Sequence, residues 1–184
     1  MIQLIESRLE QIYLSANFQQ INDGAHWYRE AYEHAQKLAR EFKLPIFKVV
    51  GVIAALSPNN KWERNLIDAR AFLSAPSLET KVCTFLLQRK KALGILKARS
   101  SSNVRTILSG RKTISFFDNI FRYNVAHKVT IDLWMYRMSE MRKTHKNYEI
   151  ISQAVINLSA KHNLLPHQFQ AIVWSVVRPS KENK

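Results

Sequence analysis

Apolar residues recur every three or four positions along much of this chain, the spacing that places them on one face of an α-helix. The first such segment contains Ile5, Leu9 and Ile12. The second contains Trp27, Tyr28, Ala31, Ala35, Leu38 and Phe42. Asn22 or Asp23 is the expected N-cap of the second helix, because short polar side chains accept hydrogen bonds from a helix's first amides. The pattern predicts an all-α protein.

The segment PIFKVVGVIAAL, residues 45–56, is apolar nearly all round. A helix without a polar face is typical of the centre of a core, and Pro45 fits its first turn. Ser57-Pro58 is expected to end it. A buried strand is the alternative, but the run is long for a strand. We predict a central buried helix here.

Helical spacing continues after this segment, with the stripe Trp62, Leu66, Ala69 and Phe72 or Leu73. The next helix is expected from about Leu78, and residues 89–91 are the candidate position for a break. The sequence SSSN offers caps for a short helix that ends near Leu108. Gly110 suits a left-handed turn position before TISFFDNIF starts again as a helix.

Further helices are expected after Asp132, after Tyr148 and from Pro166 onward. The chain of 184 residues contains four Gly and five Pro, too few for a turn-rich β fold. It has no internal repeat and no linker-like segment. We therefore predict one compact unit, residues 1–184, large enough to bury a core.

The chain is strongly basic, with 28 Lys and Arg against 14 Asp and Glu and a net charge of +14. The basic clusters are spread along the sequence, so the positive surface belongs to the fold rather than to a tail. Such a field favours an anionic polymer as partner. No apolar run is long enough to span a membrane, and the first residues lack the features of a signal peptide. We expect an intracellular protein that does not bind membranes.

Cys83 is the single cysteine, so the chain cannot form an internal disulfide or a thiolate metal centre. We expect it to be a small buried residue. The six histidines do not share the spacing of a metal site, and His26 and His34 lie eight apart. No metal and no cofactor are expected.

GRKT at residues 110–113, followed by VTID at 129–132, resembles the core of the helix-hairpin-helix DNA glycosylases, the superfamily of endonuclease III and the 8-oxoguanine glycosylases. In that family a hairpin L-P-G-V-G-x-K precedes a helix, and V-D-x-H opens another. The resemblance assigns the family's lysine to Lys112 and its aspartate to Asp132.

Two upstream segments extend the resemblance, which covers roughly residues 50–140. VIAALSPNN, residues 52–60, looks like the family's buried helix and L-S-x-Q segment, whose Gln reaches into DNA near the flipped nucleotide; Asn59 takes its position. RKKALGIL, residues 89–96, is similar to S-K-A-x-x-I. The chain departs from the pattern at TILSG, which replaces L-P-G-V-G, and at Trp134, which replaces the family's His. It also lacks the cysteines of an iron–sulfur cluster.

The resemblance implies a helix-hairpin-helix glycosylase-like helical barrel. It assigns residues 45–140 to the core with the hairpin, and it implies that residues 1–44 and 141–184 are packed flanking helices that form a second lobe. It also implies double-stranded DNA with a flipped nucleotide as the partner, and we expect the protein to be a monomer.

Excising a base requires the nucleotide to leave the stack, at a cost of a few kcal/mol, and a side chain to fill the gap. Asn59, Asn60 and Trp62 are the candidates, although Trp62 fits the core equally well. A neutral Lys112 amine is then able to attack C1′; the alternative role of Lys112 is a phosphate contact. The predicted DNA-binding residues are Asn59, Asn60, Trp62, Lys91, Gly110, Arg111 and Trp134.

Asp132 is placed to cap the helix that follows it, and a carboxylate held in this way is able to stabilise positive charge on the sugar. The function that the resemblance implies is that of a DNA glycosylase with AP lyase activity, which excises a damaged or modified base. One alternative is a catalytically inactive DNA- or RNA-binding protein on the same fold. Another is a cationic protein that binds an acidic protein partner.

Overall fold

The computed structural model describes residues 1–178, which form ten α-helices and no β-strand. This confirms the all-α prediction. The last six residues of the predicted C-terminal flank, 179–184, lie outside the described residues. The helices are α1 (Ile2–Leu14), α2 (Phe18–Glu41), α3 (Ile46–Leu56), α4 (Trp62–Ser74), α5 (Leu86–Leu96), α6 (Ser101–Leu108), α7 (Arg111–Phe121), α8 (Leu133–Met138), α9 (His145–Lys161) and α10 (Pro166–Val177).

The chain divides into two compact units. The end unit combines residues 1–29 with the chain from Arg122 onward, and the central unit is Glu30–Phe121. The first boundary falls inside α2 and the second directly after α7. The predicted division differs from this one, since it treats residues 45–140 as the core around the hairpin.

The core of the end unit is built by α1, α8, α9 and α10. Its fully buried side chains include Leu9, Met135, Val155 and Phe169. Val129 and Ile131, which precede α8, belong to the same core. Through this burial the segment after α7 packs with the helices of the two chain ends.

The core of the central unit surrounds α3. All residues from Val49 to Leu56 are buried, and α3 packs against α4, α5, α6 and α7. A helix enclosed in this way has no face left for polar residues, as its sequence indicates. The helix ends at Leu56, directly before Ser57-Pro58, so the predicted end is confirmed.

The predicted start of α2 at Asn22 or Asp23 is wrong, because the helix begins at Phe18. Asn17 accepts a hydrogen bond from Gln20 N at 2.8 Å, and Gln20 Oε1 accepts one from Asn17 N at 2.9 Å. Side chains that exchange hydrogen bonds in this way form a capping box. The cap therefore lies five or six residues before the predicted position.

The predictions for residues 78–91 are also corrected. Residues 75–85 are not helical, and α5 starts at Leu86 and runs unbroken through residues 89–91. The three adjacent cations at residues 89–91 fit within one helix because Arg89 and Lys91 donate hydrogen bonds to different backbone carbonyls, those of Leu78 and Leu108. Cys83, expected to be buried, is exposed because it lies in this non-helical segment.

Candidate functional site

The helices α6 and α7 are joined by a hairpin of two residues, Ser109 and Gly110. Ser109 ends α6 in the left-handed conformation, with φ 56°. Gly110 has no positive φ, so the prediction that Gly110 takes the left-handed position is wrong. The left-handed residue is Ser109. Its amide makes the last hydrogen bond of α6, to Arg105 O at 3.1 Å, and the next amide, that of Gly110, turns back to Leu108 O at 2.7 Å.

Lys91 of α5 is hydrogen-bonded to the hairpin between α6 and α7. Its Nζ donates hydrogen bonds to Leu108 O at 2.6 Å and to Ser109 Oγ at 2.9 Å. A cation at the C-terminal end of a helix satisfies carbonyls that lack partners within the helix and also interacts favourably with the helix dipole. Lys91 therefore has a structural role here, and its predicted contact with DNA stays a prediction.

Arg111 and Lys112 occupy the first turn of α7, and both are exposed. The first backbone hydrogen bond of this helix runs from Ile114 N to Gly110 O at 2.9 Å. The amides before Ile114 lie in the turn that an α-helix leaves without internal partners, and this end of the helix carries positive partial charge. Two cationic side chains at such an end favour an anion.

Asp132 caps α8, as predicted. Its Oδ1 accepts a hydrogen bond from Met135 N at 3.0 Å. The predicted DNA-binding residue Trp134 is half-buried, and the Arg137 guanidinium lies over its ring at 5.1 Å from the centroid. Both residues belong to the end unit, whereas Lys112 belongs to the central unit. The joint action of Lys112 and Asp132 stays a prediction.

The loop between α3 and α4 carries the predicted gap-filling residues. Asn59 is exposed and has φ 59°. Asn60 is bound within the protein, since its Nδ2 donates to Asp68 Oδ2 at 2.8 Å. Trp62 is half-buried, with the rings of His34 and Phe116 edge-on at 6.4 and 6.3 Å. Of the three candidates, Asn59 is the one whose side chain is most open to solvent.

Sequence reasoning missed a run of exposed apolar residues at the start of α5. Phe85, Leu86 and Leu87 are 62%, 48% and 58% exposed. The helix prediction from Leu78 placed them within a helix. The sequence does contain a signal for this exposure: three large apolar residues stand side by side before a basic cluster. Successive helix positions differ by about 100°, so one helix face cannot bury all three.

The exposed cations of the central unit include Lys90, Lys97, Arg99, Arg111 and Lys112. Arg105 is less exposed and is paired with the buried Asp118, with Nε and Nη2 at 2.7 and 2.6 Å from Oδ1. Exposed cations place positive charge at the surface of the unit, whereas the charge of Arg105 stabilises a buried carboxylate.

Between residues 1 and 178 no helix combines the length and the apolar composition needed to cross a bilayer. Over the same residues, no three His, Cys, Asp or Glu side chains group as metal ligands.

The chain belongs to a protein family of unknown function, DUF7178, whose model matches residues 2–181. No curated protein and no solved structure matches it. The family therefore covers nearly the whole chain without assigning it an activity.

Proposed function

We propose that this protein is a helix-hairpin-helix DNA glycosylase with AP lyase activity, which removes a damaged or modified base from double-stranded DNA as a monomer without a cofactor. The observation that carries the proposal is the position of Lys112. It is exposed in the first turn of α7, directly after the hairpin that joins α7 to α6. When the hairpin binds a DNA strand, a lysine at this position contacts the sugar-phosphate backbone of that strand.

The reaction requires the neutral amine of Lys112 as nucleophile. Its nitrogen forms a bond to C1′ while the bond from C1′ to the base breaks, and the base leaves with the electron pair and takes up a proton. Ring opening then gives an imine, and loss of a C2′ proton expels the 3′ phosphate. The proposed part of Asp132 is to stabilise the positive charge that develops on the sugar.

The division of the chain supports this proposal. The hairpin lies in a continuous central unit, while helices from the two chain ends build a core of their own. The resemblance to the glycosylases implies a barrel that carries the hairpin and a second lobe made of N- and C-terminal helices. The observed chain order is compatible with that arrangement, although the boundaries differ.

The exposed apolar run offers bulky side chains for the gap that an extruded base leaves. An extruded nucleotide leaves a gap in the stack, and a bulky side chain that fills it offsets part of the cost. Phe85, Leu86 and Leu87 are large and exposed, and they belong to the same unit as the hairpin. We propose that this run and Asn59 fill the gap.

A second candidate is a DNA- or RNA-binding protein that lacks catalysis. It is favoured by the exposure of Lys112 in the free protein, since a nucleophilic lysine is commonly activated by desolvation. A phosphate contact needs no such activation. The cationic hairpin would bind nucleic acid in either case.

One assay separates the candidates. Duplexes with oxidised, deaminated, alkylated and abasic sites are incubated with the protein and scored for released base and strand scission. Base release that is lost in Lys112→Gln and kept in Lys37→Gln supports the glycosylase, because Lys37 is an exposed lysine of the same unit on α2. Binding that weakens with salt but releases no base supports the inactive binder. Indifference to DNA at low salt points to an acidic protein partner.

A further inference from the structure

Asp68 is a buried carboxylate that anchors two loops of the central unit. It lies on α4 and is 1% exposed. Its Oδ2 accepts hydrogen bonds from Asn60 Nδ2 and from Cys83 N, both at 2.8 Å. Its Oδ1 accepts one from Arg64 Nε at 2.8 Å. One oxygen atom therefore joins the loop before α4 to the non-helical segment before α5.

The arrangement needs a carboxylate in particular. A buried charge is costly unless it is paired and hydrogen-bonded, and here Arg64 pairs with it. The same carboxylate raises the pKa of Arg64. An amide at position 68 would keep one oxygen, which in the place of Oδ2 accepts both loop donors, but its two donor hydrogens would face Arg64 and leave that charge unpaired. A side chain without oxygen atoms would remove the acceptor that the two loops share.

Both anchored loops carry exposed residues close to the anchor. Asn59 directly precedes Asn60, and Asn60 is fixed further by the hydrogen bond from its backbone N to Ser57 O at 3.2 Å. Phe85 follows Cys83 by two residues, across a tight turn in which Thr84 N bonds to Val82 O at 2.8 Å. The anchor therefore restrains the backbone next to each exposed side chain.

We propose that Asp68 is the positioning residue that sets both the Asn59 loop and the Phe85–Leu87 run for entry into the gap left by an extruded nucleotide. This inference rests on the proposed function. It predicts that the preference for DNA with a gap in the base stack over intact DNA depends on Asp68. The exposed cations, which do not depend on Asp68, supply general affinity for duplex.

The test compares two duplexes of the same sequence, one intact and one with a tetrahydrofuran abasic-site analogue, and measures the ratio of the dissociation constants. The full-length wild type should favour the abasic duplex by about tenfold, since stacking of one aromatic or apolar group on bases is worth that order. Asp68→Ala, which removes the acceptor that both loops share, should bring the ratio to about one while affinity for intact duplex changes little.

Asp118→Ala is the matched control, because Asp118 is also a buried carboxylate of the central unit paired with an arginine. It should keep the wild-type ratio. Asn60→Ala releases the loop before α4 alone and should lower the ratio in part; it also serves if Asp68→Ala fails to fold. A folded Asp68→Ala protein with the wild-type ratio, or an equal loss in Asp118→Ala, would overturn the inference.

Amide hydrogen exchange at Cys83 without DNA separates this inference from the proposed function. Asp68→Ala should speed exchange of that amide, since its acceptor is lost, and Asp118→Ala should not. If wild type releases base but Asp68→Ala keeps the preference for the abasic duplex, Asp68 has no positioning role and the proposed function stands. If wild type neither releases base nor prefers the abasic duplex, the proposed function fails, and the role of Asp68 in DNA binding fails with it.

Discussion

Lys91 and Ser109 are joined by a hydrogen bond of 2.9 Å from Nζ to Oγ, and through it α5 holds the hairpin between α6 and α7. A residue other than glycine pays roughly 1–2 kcal/mol for the left-handed conformation that Ser109 adopts. A hydrogen bond from a charged group contributes roughly 1.5–3 kcal/mol. Lys91 is thus able to offset the strain of a turn that contains no left-handed glycine.

Replacing Lys91 by Met should lower the free energy of unfolding by about 1–2 kcal/mol, because Leu108 O and Ser109 Oγ lose their donor. Lys90→Met is the matched control, since Lys90 is exposed, and should change stability by less than about 0.5 kcal/mol. Urea unfolding of both variants measures the difference. Equal stability of the two variants would show that the Lys91 contacts do not hold the hairpin.

The position of the left-handed residue is tested by substitutions on either side of the turn. Ser109→Val should destabilise by about 2 kcal/mol or more, because a β-branched residue is strained at a φ of 56°. Gly110→Ala should cost less than about 1 kcal/mol, since the new Cβ meets the Thr113 hydroxyl at 3.1 Å and that side chain is able to move. Thermal or urea unfolding gives the order, and a larger loss in Gly110→Ala would contradict the assignment.

Much of the fold follows from the sequence because helical periodicity is a local signal. The apolar run before Ser57 predicts a buried α3, and the cap at Asp132 predicts the start of α8; both are observed. The start of α2 was misplaced because several polar residues near it are able to cap, and only the reciprocal bonds of Asn17 and Gln20 select one.

The candidate site was less predictable because it depends on contacts between distant residues. Nothing local indicates that Lys91 holds residues 17 and 18 positions away, or that Asp68 binds the amide of Cys83, 15 positions away. The prediction of Gly110 as the left-handed residue rests on the conformational preference of glycine alone. The hydrogen bond from Lys91 of α5 to Ser109 stabilises the left-handed conformation at Ser109 instead. The exposed Phe85 was missed for the same reason, since its exposure depends on where α5 starts.

Close packing of α2 against α10 in the end unit gives a sharp stability test. A Cβ on Gly24 would lie 2.4 Å from Ile172 Cα and 2.6 Å from its N, both backbone atoms. Gly24→Ala should therefore cost about 3 kcal/mol or more, because the helices must separate.

Gly94→Ala is the control for this substitution, since its new Cβ meets Ile107 Cγ2 at an ordinary 3.6 Å. In the interior of α5 it should stabilise by roughly 0.5–1 kcal/mol. Denaturant midpoints compare the two variants. If Gly24→Ala is tolerated as well as Gly94→Ala, α2 and α10 are not in close contact at this point.

Stability should decrease as the pH falls from about 6.5 to 4, because burial lowers the pKa of His167 to about 4. His167 is 1% exposed, with Nδ1 at 3.2 Å from Ala126 O, and the charge of nearby His127 acts in the same direction. In this window the unfolded chain binds a proton at position 167 that the folded protein does not bind. The free energy of unfolding should fall by up to roughly 3 kcal/mol.

Urea unfolding at pH 7 and pH 4.5 measures this effect. His167→Gln should flatten the pH dependence, whereas His145→Gln, at an exposed position, should leave it unchanged. Glu10, whose pKa is lowered by hydrogen bonds from Lys161 and His162, loses its own contribution only below its ordinary pKa of 4.5. An unchanged slope in His167→Gln would mean that this histidine is not the group that titrates.

Trapping of the covalent intermediate tests the role of Lys112 most directly. Wild-type protein is incubated with an abasic-site duplex and sodium borohydride, which reduces an imine to a stable adduct visible on a denaturing gel. Lys112→Gln should give no adduct, and Lys37→Gln should give the wild-type amount, because both lysines are exposed on the same unit and only Lys112 is the proposed nucleophile. An adduct that persists undiminished in Lys112→Gln, or its absence from the wild type, would contradict the assignment.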